Sequence, residues 1–332
     1  MKKRYKYLIG ILLIISFGLI YFVSQEKETL KNIKTKKIFF MDALITIKLY
    51  NIKNSEEIFK NIDEIYSTYH NLTDMFKSYE GIVNIYDINN SKLHEAIKID
   101  EKLYKIIELG KNYYEKTNGN FNIGIGNLTN LWRGYKENNF VPKNIPNNIN
   151  INLEDIVLEN GKLTRLSDVK LDLGAIAKGY TTSVVANYLE VNKIHKYLIN
   201  AGGNIIVGNH YNNKTYNIGI ENPNNKSDIY KILNVNNKSV VTSGGYERFF
   251  EIDGKKYHHI IDVNTFLPAN NYKSVTVISE NNNTADILST TLFLMDLQEG
   301  KTFAKKENVE VIWYLNNDEI ITTKGVLDYE KG

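Results

Sequence analysis

Between Lys196 and Ile278 the chain offers one short strand-like stretch after another, with few helical stretches between them. Strand patterns fall at Lys196–Asn200, Ile205–Val207, Tyr216–Ile220, Ser239–Thr242, Glu247–Ile252, His258–Asp262 and Ser274–Ile278. A doubly wound sheet would alternate strand with helix, and this segment does not, so the expected class is α+β. Helical patterns lie outside it. Ile58, Ile62 and Ile65 recur at helical spacing from Ser55, a plausible N-cap, to about His70. Further helices are predicted over Glu101–Lys116, Ile176–Val191 and Thr284–Met295. A strand is predicted over Ile38–Tyr50, where Ile45, Ile47 and Leu49 alternate with Thr46 and Lys48, and a closing hairpin over Val309–Thr323. Residues 136–152, with two of the four prolines, read as a loop. There is no internal repeat.

The N-terminus stands apart. Lys2, Lys3, Arg4 and Lys6 precede a run from Leu8 to Val23 that carries no charge. Its length approaches the lower limit for crossing a bilayer, roughly 17–25 residues. The basic flank predicts a cytoplasmic N-terminus with the rest of the chain outside. The expectation is an uncleaved signal anchor over residues 1–23, a polar tether over 24–37 and one folded domain over 38–330. A cleaved signal peptide is the competing reading; no small-x-small site follows Phe22, and no cysteine is present for a lipid anchor. The net charge of +3 is more than supplied by the four basic residues of that flank. The remainder is near neutral, which excludes a nucleic-acid binder that tracks phosphates with a basic face. The absence of cysteine excludes disulfides, thiolate zinc sites and cysteine nucleophiles.

Several local patterns could carry chemistry. In VKLDLGAIAKGYTTSV, Val169 to Val184, Gly174 and Gly179 have the gap of a phosphate loop, but Lys178 comes one place early and Tyr180 stands where the lysine should be. A turn into a helix start suits a phosphate; close packing of a strand–helix connection explains the glycines as well. In TADILSTT, Thr284 is a natural N-cap, and Asp286 and Thr290, four apart, share one helix face. A carboxylate and a hydroxyl so placed can ligate a hard cation; a dipole-favoured aspartate and a threonine bonded to its own backbone form the bland alternative. In YHHIID, His258 and His259 point to opposite strand faces, so only one can serve a given site, and a zinc pair is disfavoured. The glycine pairs of Asn200–Asn204 and Thr242–Tyr246 permit close backbone approach or simply turns. The Gly-x-Gly near Gly126 does not follow a βαβ pattern, so it is not a Rossmann fingerprint.

Taken in order, LDLGAIAKGY, NAGGN, TSGGYERFF, YHHIID and ADILSTT resemble the ApbE-like flavin transferases, the FAD:protein FMN transferases, from about Phe40 to Val311. The resemblance implies an α+β, ApbE-like (T-fold-like) architecture of antiparallel sheets with flanking helices. It implies an enzyme that binds FAD as substrate and Mg2+, and attaches FMN to a Thr or Ser of an acceptor protein with release of AMP. Carried over by position, the cation ligands would be Asp286, Thr290 and the Ala175 carbonyl, with Ser289 a neighbouring position that can ligate in some relatives. Met41, Tyr79, Asn120, Phe121, Asn122, Asp172, Lys178 and Ile260 match FAD-contacting positions, and His259 matches the catalytic histidine. With the anchor, the resemblance puts the catalytic domain on the extracytoplasmic face of a bacterial cytoplasmic membrane, acting on an exported or membrane redox protein.

The chain departs from the family pattern at Asn122, usually Asp, at Ser183, usually an acid, and at Val263 to Phe266, usually Pro-x-x-Gly. The cation positions and His259 are retained, so activity is expected. The competing functions are an FAD pyrophosphatase using the same site with water as nucleophile, and a non-catalytic, membrane-tethered flavin-binding protein.

Overall fold

The computed structural model describes residues 32–330 apart from 213. In chain order it contains β1 (Ile33–Phe40), β2 (Ala43–Tyr50), α1 (Glu56–Thr73), α2 (Ile85–Asn89), β3 (Ile97–Lys98), α3 (Glu101–Lys116), α4 (Gly126–Glu137), β4 (Ile156–Glu159), β5 (Lys162–Arg165) and α5 (Gly174–Val191). It continues with β6 (Tyr197–Ala201), β7 (Asn204–Val207), β8 (Tyr216–Asn222), β9 (Asn225–Val235), β10 (Lys238–Gly244), β11 (Phe249–Ile252), β12 (Lys255–His258), β13 (Tyr272–Ser279), α6 (Asn282–Leu294), α7 (Leu297–Lys306), β14 (Glu310–Leu315) and β15 (Ile320–Thr322).

The frame is an eight-stranded sheet in the order β1-β2-β6-β7-β10-β13-β14-β15. Every neighbouring pair in it is antiparallel. Alternation then decides what each face meets. On one face, Ile45, Ile47 and Leu49 of β2 pack with Val185, Ala186 and Leu189 of α5 and with Ile62 and Tyr66 of α1. Val275 and Val277 of β13 and Trp313 of β14 pack there with Ile287, Leu288 and Leu292 of α6. On the opposite face, Tyr50, Val240, Ile278 and Ile312 are covered by the β8–β9 hairpin through Ile218, Ile220, Leu233 and Val235. The expected α+β class with antiparallel strands and flanking helices is what the chain forms.

α5 is buried on nearly all sides, from Ile176 to Leu189, because it lies between α1, α6 and the sheet. Its buried hydroxyls are satisfied locally: Thr181, Thr182 and Ser183 donate to the carbonyls of Ala177, Lys178 and Gly179 at 2.7, 2.8 and 2.9 Å. An acid at Ser183, the usual family residue, would place a charge in this interior; a serine bonded to its own helix does not.

Several expectations need correction. The strand predicted over 38–50 is a hairpin, and residues 33–37, expected as tether, pair with 46–50. Met41 and Asp42 make its turn at φ 51° and 54°. Left-handed turns usually carry Gly or Asn, so this sequence hides it. The strand expected before the glycine turn is only an isolated bridge from Lys170 to Ile125, and the helix begins at Gly174 rather than Ile176. The strand holding the paired histidines ends at His258. Asn281, not Thr284, caps α6, accepting from the Asn283 N–H at 3.0 Å. Ser55 stands at the N-cap of α1 without a side-chain capping bond. α2, α4, α7 and the small sheet of β3, β5 and β4 lie where no regular element is expected. Among the described residues no helix is long and apolar enough to cross a membrane. The expected anchor over 1–23 lies outside them.

Arg165 ties the segment ahead of α5 to the body. Its side chain is 2 % exposed. Its guanidinium donates to the carbonyls of Val169, Asn89 and Ser91 at 3.0, 2.8 and 3.2 Å, and to Asp168 at 3.1 Å. Asn89 completes the tie, exchanging hydrogen bonds with the backbone of Leu171 at 2.7 and 2.8 Å. Arg165→Met leaves these buried carbonyls without a donor. A loss of roughly 3 kcal/mol in unfolding free energy is expected, checked by urea denaturation.

Candidate active site

Three features converge at one end of the main sheet. Ile45 pairs with Ala201, Ala201 with Asn204, and Asn204 with Val241. This register puts the Met41–Asp42 turn, the Gly202–Gly203 turn and the end of β10 side by side. Gly202 and Gly203 take φ 58° and 85°, which a two-residue connection between twisted strands requires.

Beneath these turns α5 and α6 touch at Gly179. A Cβ there would stand 2.3 Å from Asp286 Cβ and 2.9 Å from Asn204 Nδ2, so glycine alone admits the approach. The Gly179 N–H donates to Asp286 Oδ2 at 2.8 Å. In a regular helix that N–H faces the carbonyl four residues back, which is Ala175. The carboxylate competes for this donor, and the Ala175 oxygen, with two lone pairs, has accepting capacity to spare. Asn204 Nδ2 is buried beside them with no hydrogen-bond partner among the described residues. Such orphans are rare in native proteins and often mark a place that a ligand or water completes.

α6 adds hydroxyls to this carboxylate. Ser243 Oγ at the end of β10 lies 2.8 Å from Ser289 Oγ and 3.3 Å from Thr290 Oγ1. Ser289 is buried and also donates to the Asp286 carbonyl at 2.9 Å, so it is engaged inward. Thr290 is half-buried, on the same helix face as Asp286. Among the described residues no three His, Asp or Glu side chains gather to hold a metal. A cation here would depend on one carboxylate, hydroxyls and a carbonyl, which is a hard-ion donor set.

His259 stands just past β12. Its ring Nδ1 lies 3.2 Å from the Arg248 carbonyl. A carbonyl only accepts, so Nδ1 carries the hydrogen and Nε2 holds the lone pair. The residue is exposed to solvent, yet protein surrounds it closely enough to desolvate the ring, as at the wall of a cleft. Burial is the main cause that pushes its pKa down to about 4; the Arg248 carbonyl opposes this, and the charges of Arg248, His258 and Lys178 reinforce it. Lys178 Nζ reaches the Gly202 carbonyl at 3.3 Å. His258 turns the other way, with Nε2 2.6 Å from the Ala269 carbonyl and its ring edge-on to Phe293. The two rings therefore face different partners, as adjacent strand residues would, although a strand end produces the divergence.

The remaining candidates are less tightly gathered. Tyr79 is half-buried, donates to Asp74 at 2.9 Å and meets His70 edge-on; His70 in turn packs on Phe40, next to Met41. Asp172 accepts from the Gly174 N–H and the Thr129 hydroxyl at 2.8 and 2.7 Å. Asn120 accepts from Asn264 at 3.3 Å, which joins its segment to the loop after the histidines. The side chains of Phe121, Asn122 and Ile260 are buried. Asn122 donates to the Ile151 carbonyl at 2.9 Å, a bond an ionised Asp could not make. In that post-histidine loop Phe266 sits at φ 60°. This is where the family pattern has glycine, so the loop keeps a left-handed turn at a cost of about 1–2 kcal/mol. Trp132 Nε1 holds it through the Phe266 carbonyl at 2.8 Å, and the ring packs in the Trp132 cluster.

Arg248, Ser243 and Asn204 were not singled out from the sequence. All three lie in or beside the glycine-pair blocks, which carried the only available signal. Two surface clefts, one lined by Lys98, Tyr104, Lys105 and Lys162 and one by Asn112, Tyr113, Lys116 and Glu307, contain none of the site residues.

The ApbE family model matches residues 41–313, which spans every residue of this site. The chain belongs to the ApbE family. The FAD:protein FMN transferase of Klebsiella pneumoniae is 30% identical over 290 residues, 85% of this chain and 89% of the relative. That of Vibrio cholerae is 28% identical over 259 residues, 75% of this chain and 77% of the relative. The crystal structure of the ApbE protein of Thermotoga maritima matches with a TM-score of 0.80 at 24% identity, covering 90% of this chain and 100% of that one. Flavin transferase ApbE from Vibrio cholerae matches at 0.73 and 23%, covering 90% and 99%. At these identities the structural likeness speaks to the fold.

Within this family frame, the α5–α6 contact yields a direct test. Gly179→Ala is expected to force the helices apart, costing about 1–3 kcal/mol and lowering the thermal midpoint, as calorimetry would record.

Proposed function

We propose that this chain transfers FMN from FAD to a Thr or Ser hydroxyl of an acceptor protein in a Mg2+-dependent reaction that releases AMP. Membership of the ApbE family makes it a flavin transferase, and FAD:protein FMN transferase is the activity named for the relatives above. The observation that supports the finer reading is the Gly179 N–H bond to the Asp286 carboxylate, on the turn of α5 that follows Ala175 and on the α6 face shared with Thr290.

Mg2+ suits these residues. It is held through one or two carboxylates plus substrate phosphates and keeps several waters. One carboxylate, a spare carbonyl and a hydroxyl meet that description, and the unpartnered Asn204 Nδ2 donor alongside suits a phosphate oxygen or water rather than the ion. Asp286, Thr290 and Ala175 would hold the ion; Ser289, engaged inward, would steady Asp286. When bound, the ion supplies charge neutralisation at the diphosphate and improves AMP as leaving group.

The chain's own groups do the rest. Lys178 supplies positive charge near the diphosphate, and the start of α5 supplies backbone N–H groups. Met41 and Tyr79 border the nucleotide, and positioning contributes much of the rate. The acceptor hydroxyl oxygen attacks the flavin-side phosphorus and the bond to the AMP oxygen breaks. The hydroxyl proton passes to His259 Nε2, whose lone pair is kept available by the Nδ1–H bond to the Arg248 carbonyl. The apolar N-terminal run and its basic flank support an extracytoplasmic location at a bacterial cytoplasmic membrane, where an exported or membrane redox protein would be the acceptor.

The deciding experiment is mass spectrometry of a co-expressed candidate acceptor. FMN mass on a Thr or Ser supports transfer, whereas free FMN with AMP and an unmodified acceptor points to hydrolysis. Asp286→Ala is expected to abolish Mg2+-dependent transfer. His259→Asn is expected to retain FAD binding while transfer falls by about 10²–10⁴.

The depressed His259 pKa fixes the acid side of the rate profile. A histidine near its ordinary value would be protonated, and idle as a base, below pH 6.5. His259 stays neutral until about 4. The kcat/KM for FAD, which reports the free enzyme, is expected to show no His259-dependent loss between pH 6.5 and 5. It should fall as pH drops through about 4. An acid limb centred at 6.5 would remove His259 from the base role.

A further inference from the structure

We infer that Arg248 is a positioning residue that locks the Met41–Asp42 turn against His259, so that the flavin dinucleotide meets turn and histidine as one rigid unit. This rests on the FMN-transfer reading above and adds a residue to it.

The turn needs a lock. Both of its residues sit at positive φ, 51° and 54°, and neither is glycine. A left-handed conformation costs an ordinary side chain about 1–2 kcal/mol, so two in succession persist only where the surroundings hold them. Arg248 is the holder. Its Nη2 donates to the Asp42 carbonyl at 2.8 Å and to the Met41 carbonyl at 3.4 Å. Its Nη1 stands 3.9 Å from the Asp42 carboxylate. One planar fork thus grips two successive carbonyls and faces the adjoining carboxylate, a task an ammonium cannot reproduce.

The same residue holds the histidine from its other end. The Arg248 carbonyl receives the His259 backbone N–H at 3.3 Å and faces the ring Nδ1 at 3.2 Å. Side chain and main chain of one residue therefore join the first hairpin of the chain to the histidine more than two hundred positions later. Arg248 thus bonds directly to both the Met41–Asp42 turn and His259. The charged or titratable groups acting on the His259 ring are Arg248, Lys178 and His258.

Three variants of the full chain separate grip from charge: Arg248→Ala, Arg248→Lys, and Arg248→Ala combined with Asp42→Gly. The readouts are KM and kcat for FAD, and the NMR titration of the His259 imidazole, assigned with His259→Asn. Arg248→Ala is expected to raise KM for FAD about tenfold or more, and to move the His259 titration upward from about 4. Arg248→Lys should keep the wild-type titration yet still raise KM. The double variant should recover most of the lost affinity, because glycine takes positive φ without help, while its His259 titration stays displaced.

Unchanged KM and unchanged titration in Arg248→Ala overturn the inference. So does an Arg248→Lys variant indistinguishable from wild type in KM, since charge alone would then suffice. A wild-type chain that fails to transfer FMN, but whose affinity for FAD falls in Arg248→Ala and Arg248→Lys and recovers in the double variant, sinks the transferase reading and leaves the lock standing.

Discussion

The site depends on one short contact, the N–H of Gly179 to the carboxylate of Asp286 across two packed helices. It needs a residue without a side chain on α5, an acid in the first turns of α6, and a sheet that presses both helices together. Remove any of these and the carboxylate loses the Gly179 N–H. The interior of α5 reflects the same demand. Where α5 is fully buried, its polar residues are Thr181, Thr182 and Ser183, whose hydroxyls bond back to their own turns. Stability and site geometry are thus set by the same few residues.

The antiparallel sheet does the gathering. Strands that return on themselves bring their turns to common ends, and here one end receives the connections at 41–42 and 202–203 together with the close of β10. Residues far apart in the chain become neighbours without any long loop reaching across. Loops fixed in this way vary little in position, which suits a reaction whose main demand is alignment. The post-histidine loop shows how firmly such geometry is kept. Phe266 retains a left-handed backbone where the family pattern has glycine, because Trp132 holds its carbonyl and its ring.

Much of this was legible in the sequence. The α+β class followed from strands crowded between Lys196 and Ile278, and Glu101–Lys116 appears with the bounds its pattern gave. Asp286 and Thr290 were paired by helical spacing, and their helix forms. What stayed hidden was local structure without local markers. The turn at Met41–Asp42 carries no Gly or Asn, so two strands read as one. Arg248 acts through carbonyls, which every residue possesses, so no pattern pointed to it. Asn204 matters through the place it occupies between two helices and a strand, a relation only the folded chain creates. Phe121, Asn122 and Ile260 were carried over by position, but their side chains are buried, which only the folded chain reveals.

The position of β1 carries a mechanical consequence. Among the described residues it is an outermost strand and pairs with β2 alone, Ile33 opposite Tyr50 at one end and Phe40 opposite Ala43 at the other. A pull transmitted from residues ahead of Ile33 would therefore arrive at the end of the hairpin remote from Met41. It would strip hydrogen bonds one pair at a time, as a zip opens, before reaching the Met41–Asp42 turn. The first strand can act as a sacrificial length of rope, absorbing load while the chemistry beyond it stays moored.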